Sequence, residues 1–167
     1  KANGVSLPQG VFAGLTADLN LIASAPHLLP RWLEMPEGHQ VVGPVYAHLP
    51  GEVPEIVADL AAGPKPLVYF AVGSSGNRDL VLDVLRGLGR ADCQVLAPVR
   101  SHLHPEDLET LPLNVHVTDW IPAHQLGDAV DLAITHGGEG TVQNSCAQGW
   151  PFIGIPLQLE QRFNVQR

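Results

Sequence analysis

Residues 134–155 read "ITHGGEGTVQNSCAQGWPFIGI". An apolar approach through Ile134 meets His136, two glycines, an acid, Gly140 and Thr141. Small polar residues follow, and Gly149-Trp150-Pro151 leads into a second apolar run. The stretch reads as strand, glycine-rich turn, helix over about 139–149, then strand. Outward from it the same rhythm recurs. "PLVYFAVGSSG" (66–76) is a continuous apolar run that ends in glycines and serines, as a strand buried on both faces of a parallel sheet requires. "NRDLVLDVLRGLGR" follows, with Leu80, Val81, Val84, Leu85 and Leu88 on one helical stripe, Asn77 as N-cap and Gly89 at the end. "CQVLAPV", "NVHVTDW" (114–120), "DLAIT" (131–135) and "PFIGIP" (151–156) are further strands. The expected fold is α/β, a Rossmann-like parallel sheet with flanking helices.

Upstream the pattern is looser. "ADLNLIASAP" (17–26) alternates apolar and polar residues until Pro26 and reads as a strand. "HQVVGPVY" (39–46) is broken by Gly43-Pro44, and "AHLPGEVPE" has the composition of a linker.

Composition narrows the function. The 167 residues suffice for one domain with a real core. The formal charge is −8 and the lysines are Lys1 and Lys65, which argues against a nucleic-acid partner. No apolar run reaches the roughly 18 residues of a membrane span, and no signal peptide opens the chain. Cys93 and Cys146 are far apart in apolar sequence, so a reduced, cytoplasmic protein is expected. The abrupt start and the ending "EQRFNVQR" read as part of a longer protein.

Ligands of open parallel sheets bind beyond the carboxyl ends of the strands. Two glycine-rich turns lie at such ends, Gly73–Gly76 and Gly137–Gly140, each opening a helix. With His136 at the strand end and Thr141 in the first helical turn, they form a phosphate or pyrophosphate cradle, or else simply tight turns. More specific patterns fail. There is no G-x-x-x-x-G-K-[ST] and no G-x-G-x-x-G after the first strand of the sheet. "HGGEG" resembles a hydrolase oxyanion loop, but Gly73, Ser75 and Asn77 do not make a nucleophile elbow. Trp120 is either a stacking platform for a base or a core or rim tryptophan. Glu160 and Gln161 after the last strand suit hydroxyl-rich ligands, or are a solvated helix start. His102 and His104 sit in a polar loop, and His116 and His124 lack ligand spacing, so no metal site is expected.

Together "TDWIPAHQL" (118–126) and "DLAITHGGEGTVQNSCAQGWPFIGIPLQLEQRFN" (131–164) resemble the donor-binding half of family 1 glycosyltransferases. These are GT-B fold enzymes that use UDP-sugars or, in many bacterial natural-product pathways, dTDP-sugars. "PLVYFAVGSSG" looks like the first strand and loop of that half, and "VVGPV" like the approach to the interdomain linker. The resemblance implies a division into 1–45, the tail of the acceptor-side domain with the linker, and 46–167, the nucleotide-sugar donor-binding domain without its last helices.

The resemblance also implies roles. Trp120 would stack on the base beside the backbone of Ile121. His136, Gly137, Gly138, Gly140 and Thr141 would hold the diphosphate, helped by Ser74 or Ser75. Glu160 and Gln161 would take sugar hydroxyls. The implied activity is inverting transfer of a hexose or deoxyhexose to a small-molecule acceptor hydroxyl. The sugar nucleotide is then a co-substrate and no further cofactor is needed. The catalytic base is a histidine of the other domain, so no catalytic residue is assigned here, and this piece alone is expected to be inactive. Ala123 and Asn144 stand where plant members have a glutamine and a ribose-binding glutamate, which leaves UDP and dTDP both open. A non-catalytic nucleotide-binding module and a GT-B type nucleotide-sugar epimerase are the alternatives. Apolar surface left by absent neighbours would favour self-association.

Overall fold

The computed structural model describes residues 17–46 and 48–166. Residues 1–16 of the first expected region therefore lie outside the described residues. The chain divides into two compact units between Val45 and Tyr46.

In the first unit, β1 (Asn20–Ile22) and β2 (His39–Val41) pair in parallel, with Asn20 opposite His39. The strand expected over 17–26 is shorter at both ends. Asn20 folds back to accept from the Ala17 amide, and Pro26 opens a 3-10 turn over Pro26–Leu28. Proline has no N–H to lend a ladder and is pre-set for the first position of a helical turn.

The second unit opens with α1 (Ile56–Ala61). Then come β3 (Leu67–Ala71), α2 (Arg78–Leu88), β4 (Gln94–Ala97), α3 (Pro105–Leu108) and β5 (Val115–Val117). β6 (Leu132–Thr135), α4 (Glu139–Gln148), β7 (Phe152–Gly154) and α5 (Leu159–Val165) complete it. The five strands β3–β7 form one all-parallel sheet in the order β5-β4-β3-β6-β7. The chain thus builds outward from β3 in one direction, then crosses back and builds outward from β3 in the other. β3 and β6 are neighbours with Ala71 opposite Thr135, so their carboxyl ends flank the switch point where such sheets bind ligands.

The continuous apolar runs are explained by burial on both faces. Val68, Phe70 and Val72 pack on one face with Val81, Leu85, Val95 and Ile134. Leu67 and Tyr69 pack on the other with Leu96, Ile121, Ala133 and Trp150. Successive side chains of a strand point to opposite faces, so both parities must be apolar. α2 is capped as expected: Asn77 Oδ1 accepts from the Leu80 amide at 2.9 Å. α4 ends at Gly149, whose φ of 73° is the left-handed stop that glycine supplies. Cys93 is buried, but Cys146 is exposed on α4 rather than apolar in its surroundings.

Candidate functional site

The two glycine turns meet around one imidazole. β3 runs into a turn over Gly73–Ser75, with Gly73 at φ 54°; β6 runs into His136 and Gly137, the latter at φ 83°. These are conformations that a β-carbon disfavours. Space is limiting as well. A β-carbon on Gly73 would stand 2.9 Å from Cε1 of His136, and one on Gly138 would collide with Nε2 of the same ring. His136 is 7% exposed and lies between the backbones of the two loops. Its Nδ1 is buried without a partner among the described residues. Gly73 and Gly138 thus leave the room that the His136 ring occupies.

The helices behind the turns differ. α2 has its own cap in Asn77, whereas α4 receives no side-chain cap at Gly138. An uncapped N-terminus leaves N–H groups for an anion. Thr141 lies half-buried in the first turn of α4, its amide donating to the Gly138 carbonyl at 3.0 Å. Gly140 is exposed with open space around it. Ser74 is exposed, and Ser75 is half-buried.

The two residues after the last strand part company. Glu160 is exposed on the first turn of α5. Gln161 is 2% exposed. Its Oε1 accepts from the Leu157 and Gln158 amides at 2.9 and 3.0 Å, and its Nε2 donates to Ser75 Oγ at 3.2 Å. The bond to Ser75 uses one of the two Nε2 donors. In this structure Gln161 holds α5 to the first glycine turn. Asn164 does the same for the second, its Nδ2 donating to the Gly137 carbonyl at 3.0 Å.

Trp120 stands apart from both core clusters and is 59% exposed. It is therefore neither a core tryptophan nor a strand residue, since β5 ends at Val117. It borders a cavity of about 270 Å³ with Arg100, Thr118, Asp119, Ile121 and Glu52. Ile121 is buried in the core, so what it offers the cavity is backbone. Arg100 is held by the Val117 carbonyl at 3.0 Å and by Asp119 at 3.5 Å. Thr118 Oγ1 is buried with no partner among the described residues. Gly51 packs on the indole: a β-carbon there would lie 2.8 Å from its Cζ3. Sequence reasoning did not single out Arg100, Gly51, Glu52 or Asn164, since each is defined by a distant partner.

One histidine of the polar loop also reaches the site. His102 Nε2 lies 2.8 Å from the Gly73 carbonyl oxygen. Nearby, Arg78 bonds Asp107 through both Nε and Nη2, and Asp107 also accepts from the His104 amide. The Arg78 guanidinium, hydrogen-bonded to Asp107, holds that carboxyl below the usual carboxylate range. Burial pushes His116 down, but it lies on β5, bonded to Gln94, and not in the crevice. Among the described residues no group of three His, Cys, Asp or Glu side chains could hold a metal ion, and no helix is long and apolar enough to cross a membrane.

Residues 82–167 match the family model of the erythromycin biosynthesis protein CIII-like C-terminal domain. The PGL/p-HBAD biosynthesis rhamnosyltransferase of Mycobacterium bovis (strain BCG / Pasteur 1173P2) is 31% identical over 149 residues, which are 89% of this chain and 32% of the relative. The chain thus spans about a third of that relative's length. The glycosyltransferase SnogD from Streptomyces nogalater superposes with a TM-score of 0.68 at 25% identity, over 89% of this chain and 42% of that one. The glycosyltransferase VinC, solved in complex with dTDP, superposes with a TM-score of 0.68 at 20% identity, over 97% of this chain and 39% of that one.

Proposed function

The chain belongs to the erythromycin biosynthesis protein CIII-like C-terminal domain family, and from that premise we propose that it is the nucleotide-sugar-binding half of an inverting glycosyltransferase of the GT-B type. The observation that carries the reading is the closure of two glycine turns on His136 at the adjacent ends of β3 and β6. In such a transfer an acceptor hydroxyl attacks the anomeric carbon from the face opposite the leaving nucleoside diphosphate. Negative charge grows on the diphosphate as the bond breaks. Fixed donors stabilise that charge without reorganising. Here these are His136, the amides of Gly138 and Gly140 at the uncapped start of α4, the Thr141 hydroxyl, and Ser74 and Ser75 of the facing turn.

Trp120 would carry the base in the cavity it shares with Arg100, with the Ile121 backbone at its edge. Glu160 is the exposed carboxylate placed for sugar hydroxyls, and Gln161 holds the turn beneath it. The donor is a UDP- or dTDP-sugar; VinC, which shares the fold, was solved with dTDP. The acceptor is a small molecule, and its general base comes from the other domain.

The test is a melting panel with UDP, dTDP, GDP and their hexose conjugates, followed by chemical-shift mapping. Pyrimidine diphosphates should raise Tm and move the amides of 73–76 and 136–141. Binding that leaves both loops unmoved would displace the site.

A further inference from the structure

We propose that His102 is a positioning residue for the diphosphate site, setting the peptide plane of the first glycine turn. The inference rests on the reading of this crevice as a diphosphate cradle. His102 closes the 3-10 turn Arg100–His102 that follows β4, and it is half-buried. Its Nε2 lies 2.8 Å from the carbonyl oxygen of Gly73, twenty-nine residues away. A carbonyl only accepts, so the bond assigns the proton: Nε2–H donates to Gly73 O. The turn that carries His102 is itself anchored. The Arg100 amide donates to the Thr118 carbonyl at 3.2 Å, and the His102 amide to the Val99 carbonyl at 2.9 Å.

The consequence follows from peptide geometry. The Gly73 carbonyl and the Ser74 N–H belong to one planar trans unit and point in opposite directions. Holding the oxygen against His102 fixes where the Ser74 N–H points. Gly73 needs this restraint more than another residue would. It has no side chain and sits at φ 54°, with the His136 ring against the space its β-carbon would fill. His102 and His136 therefore grip the same glycine, one by its carbonyl and the other by its open Cα face. The anchoring turn also carries Arg100, which borders the Trp120 cavity. A single short turn thus supports the base side and the phosphate side together.

The experiment uses the whole chain and three probes: inorganic pyrophosphate, UDP and uridine. Affinities are measured by NMR titration or calorimetry for the wild-type chain, His102→Ala and His102→Gln. Loss of one hydrogen bond should weaken pyrophosphate and UDP roughly two- to twelvefold in His102→Ala. Uridine, which has no phosphate, should bind as before. His102→Gln, whose side-chain amide can donate to the same carbonyl, should recover most of the loss. Unchanged pyrophosphate affinity in His102→Ala overturns the proposal. So does a parallel loss of uridine, which would mark general distortion, or a glutamine variant no better than alanine. A wild-type chain that binds no pyrophosphate defeats the cradle reading and this inference with it, a pattern distinct from any variant-only result.

Discussion

Two tryptophans with opposite surroundings make opposite predictions. Trp120 is 59% exposed and outside the core, whereas Trp150 is 5% exposed, tilted against Tyr69 and donates Nε1–H to the Gly127 carbonyl at 2.7 Å. Trp120→Ala should cost about 1–3 kcal/mol of nucleotide affinity through lost stacking and leave Tm nearly unchanged. Trp150→Ala should do the reverse. It leaves a cavity and an unpaired carbonyl, and should cost about 3–5 kcal/mol of stability. Affinity and melting temperature measured on both variants decide the matter. A folded Trp120→Ala chain with wild-type affinity would remove the base from this indole. Before folding, the two residues look alike: each follows a glycine or acid and precedes an Ile-Pro or Pro-Phe step. Their difference is that Trp150 packs into the core on one face of the sheet, whereas Trp120 packs into neither core cluster and stays exposed.

At the scale of elements, α3 is only four residues long, too short to hold its own shape, and its place depends on Asp107. That carboxylate is buried, takes both nitrogens of Arg78 at the start of α2, and caps α3 through the His104 amide. Because its folded pKa is depressed, its contribution is fully present above the unfolded value of about 3.9 and is lost as pH falls through the lower folded value. Tm measured against pH should therefore fall more steeply below about pH 4 in the wild-type chain than in Asp107→Asn, which is less stable at neutral pH but has no such proton to take up. Parallel acid limbs would show that Asp107 does not carry this linkage. The boundaries of elements were the least legible feature. The apolar stretch 114–120 supplies only three ladder residues, Val115–Val117, because β4 offers it partners only from Val95 to Ala97. A strand ends where its neighbour does, and a single run of sequence does not contain its neighbour.

At the scale of the molecule, the crevice described has one wall. In the proposed reading the donors for a diphosphate and the platform for a base would lie on it, and the base that would activate an acceptor hydroxyl is expected on the other domain. The chain spans about a third of the mycobacterial rhamnosyltransferase it resembles. By itself it should bind UDP or dTDP and transfer no sugar, and joining it to the rest of a full-length enzyme should bring turnover. Assaying transfer from a UDP- or dTDP-sugar with both forms checks this. Turnover by the chain alone, near the full-length rate, would place the base among its own histidines.

The sequence by itself determined the parallel sheet, because runs apolar at every position can be satisfied only where both faces are covered. It also marked where the backbone runs close to something, because glycines after two strands lie at the adjacent ends of β3 and β6. Only the tertiary structure decided what that something is within the chain, the buried ring of His136. Only the fold, too, separated Glu160 from Gln161 and brought His102 to Gly73. Strand periodicity and turn chemistry are local and are written in neighbouring residues. A hydrogen bond between residues 29 or 86 positions apart depends on how the strands are ordered in the sheet, and no local pattern carries that order.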